Sequence, residues 1–189
     1  VYLVEVCGVV VTGMPGTGKS SLSKMISVCY GIERFPVGDT MRAINPMLDF
    51  ARENVLIPDG VHLELDRRMI ERMRDLTPQK RMIFDACLAL YFVDLYHFPG
   101  IIKILIVADW EKCVERIALR EDKTYDLAEQ TTMQRIVDNN SRWGRLYPGS
   151  RGYFDPKKAD IVIDNTRLDL EATKEVVVKG MKRLGLDLD

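Results

Sequence analysis

Eight residues near the start, Gly13-Met-Pro-Gly-Thr-Gly18-Lys19-Ser20, constrain this chain more than any other stretch. They match the pattern G-x-x-x-x-G-K-[ST]. The β-branched run Val9-Val10-Val11-Thr12 precedes them, and an amphipathic stretch follows in which Leu22, Met25, Ile26 and Cys29 recur at i, i+3, i+4 and i+7. Chance produces such a match in about one chain in a hundred of this length, and the strand–loop–helix setting is the context the pattern requires. Glycines let the backbone bend so that successive N–H groups turn inward around an anion. The helix start adds its partial positive charge. A buried strand must therefore deliver its end into a phosphate-sized loop.

The rest of the chain supplies the sheet such a strand needs. Apolar runs without alternation at Glu5–Val11, Arg81–Ala86, Ile101–Ala108 and Asp160–Asp164 predict strands covered on both faces, with a fifth, short strand at Gly31–Pro36. Between them Val61, Leu65, Met69 and Met73 follow every four residues behind Asp59 as N-cap, Cys113, Val114, Ile117 and Ala118 repeat after Asp109, and Leu168–Leu184 reads as an amphipathic helix. The alternation predicts an α/β fold, a five-stranded parallel sheet with helices on both faces, in one domain of 189 residues. With 28 acidic and 27 basic side chains and a net charge of −1, a dedicated nucleic-acid coat or basic membrane binder is not expected. No apolar run approaches a membrane span. The opening run flows into the loop motif and reads as a core strand rather than a secretion signal. Cys7, Cys29, Cys87 and Cys113 lack zinc or CxxC spacing, so reduced thiols and a cytoplasmic setting are expected.

The loop motif assigns Gly13, Met14, Pro15, Gly16, Thr17, Gly18, Lys19, Ser20 and Ser21 to a nucleoside triphosphate. Lys19 is expected on the β- and γ-phosphates and Ser20 on Mg²⁺. Four further features follow. Asp39 and Arg42, in Gly38-Asp-Thr-Met-Arg42, can share one helix face. Asp85 ends a predicted strand beside the loop, where it can orient Mg²⁺ through water or hold an acceptor. Arg116 and Arg120 stand four apart on one helix. Arg135, Asp138, Arg142 and Arg145, spaced i, i+3, i+7 and i+10, form a polar stripe, with Met133, Ile136, Val137 and Trp143 expected opposite, facing the core. Three arginines around one carboxylate repel one another unless an anion lies between them, and guanidinium forks suit phosphate oxygens.

In this order and spacing the chain resembles the nucleoside monophosphate kinases among P-loop kinases, and within them the short-lid cytidylate kinases of archaea. The likeness spans about residues 6 to 180 and includes Glu115–Lys123 and the ending Asp160-Ile-Val-Ile-Asp164-Asn-Thr-Arg167. The resemblance implies acceptor-binding helices at about 37–76 and a lid at about 120–150. It implies that Arg42 holds the acceptor's phosphate beside Asp39, that Asp85 is the strand-end acid, and that Arg116 and Arg120 serve the donor side of the lid. Arg135 and Arg142 would straddle the transferred phosphoryl group, with Asp138 on the acceptor, and Asn165 and Thr166 would pass the adenine. The chain departs from the pattern at Asp85-Ala86-Cys87, where cytidylate kinases follow the acid with Gly-Arg. The Asp-Gly-Phe-Pro-Arg run of adenylate kinases is also absent.

The expected activity is transfer of the γ-phosphoryl group of ATP, with Mg²⁺, to a nucleoside monophosphate, CMP, dCMP or UMP. The catalytic residues would be Lys19, Arg135 and Arg142. Nucleotides are the expected partners, without membrane or nucleic acid, and the chain is expected to be a monomer, a homodimer being the alternative. Two rival readings stand. One is a P-loop kinase of AMP or of a hydroxyl acceptor, the hydroxyl needing Asp39 or Asp85 as base. The other is a slow nucleotide-hydrolysing switch or assembly factor.

Overall fold

The computed structural model describes residues 5–44, 57–150 and 154–186. Five strands, β1 (Gly8–Gly13), β2 (Glu33–Pro36), β3 (Met82–Asp85), β4 (Ile101–Val107) and β5 (Ile161–Asp164), form one sheet in the order β2-β3-β1-β4-β5. Every pairing is parallel. All five predicted strands are present. The first is shifted: it is expected at 5–11 but runs from Gly8 to Gly13, so the strand continues into the first glycine of the loop.

Seven α-helices connect and cover the strands among the described residues: α1 (Lys19–Tyr30), α2 (Val37–Ile44), α3 (Asp59–Arg74), α4 (Ala89–Tyr96), α5 (Trp110–Glu121), α6 (Tyr125–Leu146) and α7 (Leu170–Arg183). The alternation of β1 assigns its sides. Val9 and Val11 pack with Leu22 and Ile26 of α1 and Val177 and Met181 of α7. Val10 faces the other way, among Met69 and Met73 of α3, Phe92 of α4 and Trp143 of α6. Two cores thus sandwich the sheet, and each fully buried Leu or Ile adds about 1.5–3 kcal/mol to folding.

Two local expectations change. Asp59 is not the cap of α3. Pro58 occupies that position, no side chain caps the helix, and Asp59 is its first residue, free to bond elsewhere. In α6 the side that carries Arg135 and Arg142 is the inward face, while Arg145 of the same stripe is exposed. Ala128, Thr131, Thr132, Asn139, Arg142 and Trp143 are buried, whereas Met133 and Val137 are half exposed on the opposite side. The first turn of α6 packs Ala128 against Val114 and Ile117 of α5, and near its end Trp143 reaches the core beneath the sheet. The four cysteines are free, and Cys113 alone is fully buried.

Candidate active site

β1 pairs with β3 on one side and β4 on the other. The crevice at the carboxyl end of a parallel sheet, where the winding reverses, is where ligands bind such folds. The loop 13–18 lies there, at the mouth of a cavity of about 670 Å³. Gly16 and Gly18 hold φ of 85° and 101°, in the left-handed region. A Cβ on Gly16 would stand 2.5 Å from the Cys113 carbonyl oxygen, and one on Gly18 would stand 2.7 Å from Asn165 Nδ2. Gly16 requires glycine because the backbone of α5 closes in on it, and Gly18 because its left-handed backbone disfavours a side chain.

The donor side is held by a chain of hydrogen bonds. Lys19 Nζ donates to the Met14 carbonyl oxygen at 2.8 Å, which folds the ammonium over the loop. Asn165 Nδ2 donates to the Thr17 carbonyl oxygen at 2.9 Å, and Thr173 Oγ1 reaches Asn165 Oδ1 at 3.0 Å. Arg116 Nη2 donates to the Asn165 carbonyl oxygen at 2.7 Å. Its Nη1 is buried in the cavity wall without a hydrogen-bond acceptor among the described residues. That orphaned cation, the glycine cradle, Lys19 and the Ser20 hydroxyl fit a polyphosphate with a divalent cation. Thr166 is turned away, its hydroxyl donating to Asp164 at 2.6 Å and accepting from the Asp109 N–H.

Opposite the loop, Arg42 of α2, Arg120 of α5 and Arg135 of α6 line the same cavity. The Arg135 guanidinium is held below its ordinary pKa by burial first, then by the charges of Arg120 and Arg42, partly offset by Cys87 and Glu121. Asp39 pairs with Arg42 and Glu121 with Arg120, and a bound anion would relieve the remaining repulsion that Arg135 feels from both. Cys87, where the resemblance led an arginine to be expected, points its thiol to the Gly13 carbonyl oxygen at 3.7 Å. Arg135 brings its guanidinium close to this position from another helix.

Asp85 and Asp39 are tied down. Asp85 Oδ2 accepts from Ser23 Oγ at 3.0 Å and Arg34 Nη2 at 3.1 Å. Asp39 accepts a short hydrogen bond from Arg42 and lies 3.6 Å from Arg34. Desolvation raises its pKa, but Arg42 and then Arg34 outweigh this and hold the carboxyl below the usual range.

Several expected site residues lie elsewhere. Arg142 is not on the cavity wall; its Nε donates to Asp59 Oδ1 at 3.2 Å. Arg145 bonds the same carboxylate, and Asp138 accepts from Gln134 at 2.8 Å on the exposed side of α6. The i, i+3, i+7, i+10 stripe splits along the axis as well as around it: residues 135 and 142 share an angle but lie two turns apart, so only Arg135 reaches the cavity, while 138 and 145 lie at the edge of that face. Met47 and Arg151, which flank these acceptor-side and arginine segments in the sequence, fall outside the described residues. Met41 lines the cavity, whereas Met69 and Met73 are core.

Four residues escaped the sequence reading. Ser23 and Arg34 hold Asp85; His62 and Asp66, four apart on α3, line the cavity. Their signal was present beside the Leu65–Met69–Met73 stripe, as two polar groups on the flank of an apolar face. Among the described residues no cluster of three His, Cys, Asp or Glu could hold a metal. None of the described helices is long and apolar enough to cross a membrane.

These elements define a P-loop domain with a basic cavity at the sheet's carboxyl edge. The chain belongs to the AAA domain family, whose pattern matches residues 9–137, from β1 into α6. It is similar to the cytidylate kinase of Methanocaldococcus jannaschii, with 23% identity over 176 residues, 93% of this chain and 98% of that one. Among solved structures its fold is similar to a shikimate kinase from Bacteroides thetaiotaomicron, with a TM-score of 0.60, 12% identity and 95% and 99% of the two chains covered. A gluconokinase from Sinorhizobium meliloti has a TM-score of 0.57, 17% identity and coverage of 95% and 93%. The likeness to cytidylate kinases noted on the motifs thus extends over nearly the whole chain, and the fold is that of small P-loop kinases.

Proposed function

We propose that this chain is a P-loop kinase that transfers the γ-phosphoryl group of ATP to a nucleoside monophosphate, with CMP, dCMP or UMP as acceptor. The observation that carries the reading is the convergence of Arg42, Arg120 and Arg135 on the cavity wall that also bears Lys19. A second phosphate, besides those in the loop, accounts for that much positive charge. The attacking atom is then an acceptor phosphate oxygen. It is already anionic and needs no base, so catalysis is positioning and charge neutralisation. Arg42 holds the acceptor phosphate. Lys19 and Arg135 face the phosphoryl group in transit, and Arg120 and Arg116 hold the donor phosphates. Mg²⁺, held by Ser20 and phosphate oxygens, supplies further neutralisation when bound. Arg142 acts from outside, anchoring α6 through Asp59. The segments about 37–76 and 120–150 serve as acceptor-binding part and lid.

A hydroxyl acceptor would need a carboxylate base. Asp39 and Asp85, the two candidates, are each engaged by arginine. An aspartate held as an ion pair is a weakened base, which favours the phosphate acceptor.

A coupled assay of ADP release with Mg·ATP against CMP, dCMP, UMP, AMP, GMP and dTMP, with a blank lacking acceptor, tests the reading. Release well above the blank with CMP, dCMP or UMP is expected. Fast release with AMP alone moves the acceptor. Release at the blank rate with every monophosphate overturns the kinase assignment in favour of a slow nucleotide-hydrolysing switch.

A further inference from the structure

The cavity wall formed by α3 and α6 is chemically unlike the phosphate end. His62 and Asp66 of α3 face it together with Asn139 and Trp143 of α6. Met69 and Met73, further along α3, belong to the core. This flank of the helix therefore passes from packing to ligand wall at Asp66. The Asp66 carboxylate is buried, and among the described residues its one hydrogen bond comes from Tyr147 Oη, at 2.7 Å to Oδ2. An ionised carboxylate has about four acceptor positions, so a buried one with a single donor is short of partners. His62 Nε2 is buried and has no hydrogen-bond partner among the described residues.

The two residues also lie outside the field of the basic cluster. Burial pushes the Asp66 carboxyl up to about 6, the Tyr147 hydroxyl draws it partly back, and no lysine or arginine contributes. Burial, followed by the Arg142 charge and against Asp59, brings His62 down to about 4, so its imidazole is neutral near pH 7. The cavity is thus polarised. One end gathers guanidinium groups, and the other offers a carboxylate short of donors, a neutral imidazole and an indole face. An anion with a flat, donor-bearing group at its far end fits that layout.

We infer that His62 and Asp66 form the base-reading wall of the acceptor site and select a base with an exocyclic amine, cytosine over uracil. The inference rests on the nucleoside monophosphate reading and deepens it. The cytosine N4 amine brings two N–H donors to an acceptor-only carboxylate. Uracil presents O4 at the same place, an oxygen that Asp66 can meet only by first taking up a proton, which costs free energy above its pKa of about 6. Trp143 offers its ring as an apolar side of the slot, and His62 Nε2 completes the polar edge. A site built to bond a specific donor rejects an analogue without it far more strongly than an apolar slot rejects a change in size.

Steady-state kinetics at saturating Mg·ATP test this, with CMP, UMP, N4-methyl-CMP and N4,N4-dimethyl-CMP. The wild type should favour CMP over UMP by about a hundredfold in kcat/KM. N4-methyl-CMP keeps one N–H and should retain most activity. The dimethyl analogue keeps the ring but no donor, and should lose about tenfold or more. Asp66→Asn should shrink the CMP/UMP ratio at least tenfold while the KM for ATP stays within about twofold, because the amide can donate to O4. His62→Ala should raise the KM for CMP more than it lowers kcat. Turnover of CMP and UMP at equal rates, or a ratio unmoved by Asp66→Asn with the dimethyl analogue as good as CMP, overturns the inference and leaves the kinase reading standing. No turnover with any of the four overturns both. The analogue series needs no variant, so poor folding of Asp66→Asn would not shelter the inference.

Discussion

The Arg142 guanidinium sits on the Asp59 carboxylate, Nε to Oδ1 at 3.2 Å, joining the last turns of α6 to the first turn of α3 across 83 positions of sequence. Arg145 Nη2 reaches Oδ2 of the same group at 2.5 Å. One carboxylate thus holds two guanidinium groups and ties α6 to α3, two helices that both line the cavity. Arg142 is buried while Arg145 is exposed, so the inner pair is less screened by solvent than the outer one.

Asp59→Asn should loosen that joint. Desolvation raises the Asp59 pKa, but Arg145 and then Arg142 outweigh it and hold the carboxyl below 3.8. A depressed carboxyl contributes stability above its unfolded value and loses it as pH falls through the lower folded one. The wild type should therefore lose this contribution only under acid conditions, below 3.8. Asp59→Asn should have a lower Tm at pH 7 and a smaller further loss on acidification. Thermal unfolding from pH 7 to 3 checks both, and a double-mutant cycle with Arg145→Ala should show coupling.

Asp66 carries the opposite sign. Its carboxyl is raised from 3.8 to about 6 by burial, with the Tyr147 hydroxyl opposing. The folded state holds the proton more tightly than the unfolded one. This contribution is present below 3.8 and is lost as pH rises through about 6. Asp66→Asn should flatten stability between those values and gain about 3 kcal/mol over the wild type at pH 8. Denaturant titrations at pH 4, 6 and 8 read this directly.

Arg135→Met separates catalysis from folding. The buried guanidinium is destabilised by desolvation and by Arg120 and Arg42. Its removal should lower kcat about 10²–10³-fold while Tm holds or rises. A fall in Tm with unchanged kcat would make Arg135 a structural residue. Lys19→Ala should reduce turnover at least as far, and wild-type-like turnover in that variant would remove the loop assignment.

Gly16→Ala tests the cradle. The new Cβ would meet the Cys113 carbonyl oxygen at 2.5 Å, in a backbone with φ of 85°. A loss of about 1–3 kcal/mol is expected from the strained conformation, together with weaker ATP binding. Calorimetric unfolding and a nucleotide titration measure the two effects.

The sheet was legible because its central strands β1, β3 and β4 are buried on both faces, whereas the edge strands β2 and β5 are only partly covered, β5 turning Val162 outward against the expectation of two covered faces. Val9, Val10 and Val11 are all fully inaccessible, and such a run has no polar alternation to confuse with a surface strand. The helices were legible wherever one apolar stripe met the core, as at Leu22 and Ile26 or at Leu65, Met69 and Met73. Hydrophobicity misled in α6. Met133 and Val137 looked like core but lie outside, because the inward face of that helix is turned to a charged cavity. The Asp85 network was hidden for another reason. Its partners Ser23 and Arg34 stand 62 and 51 positions away, and spacing reports only neighbours along one helix or strand.

The sequence by itself determined the parallel α/β architecture and the phosphate loop, because periodicity and local backbone geometry are properties of consecutive residues. It also named the arginines Arg42, Arg120 and Arg135. Only the tertiary structure decided which charges meet a ligand and which meet each other. Arg135 points into the cavity while Arg142, two turns further on, is consumed by Asp59. His62 and Asp66 of α3 line the cavity together with Asn139 and Trp143 of α6, a meeting of helices far apart in sequence. Electrostatic energies depend on distance through space and on exclusion of water, and neither is written in the order of the residues.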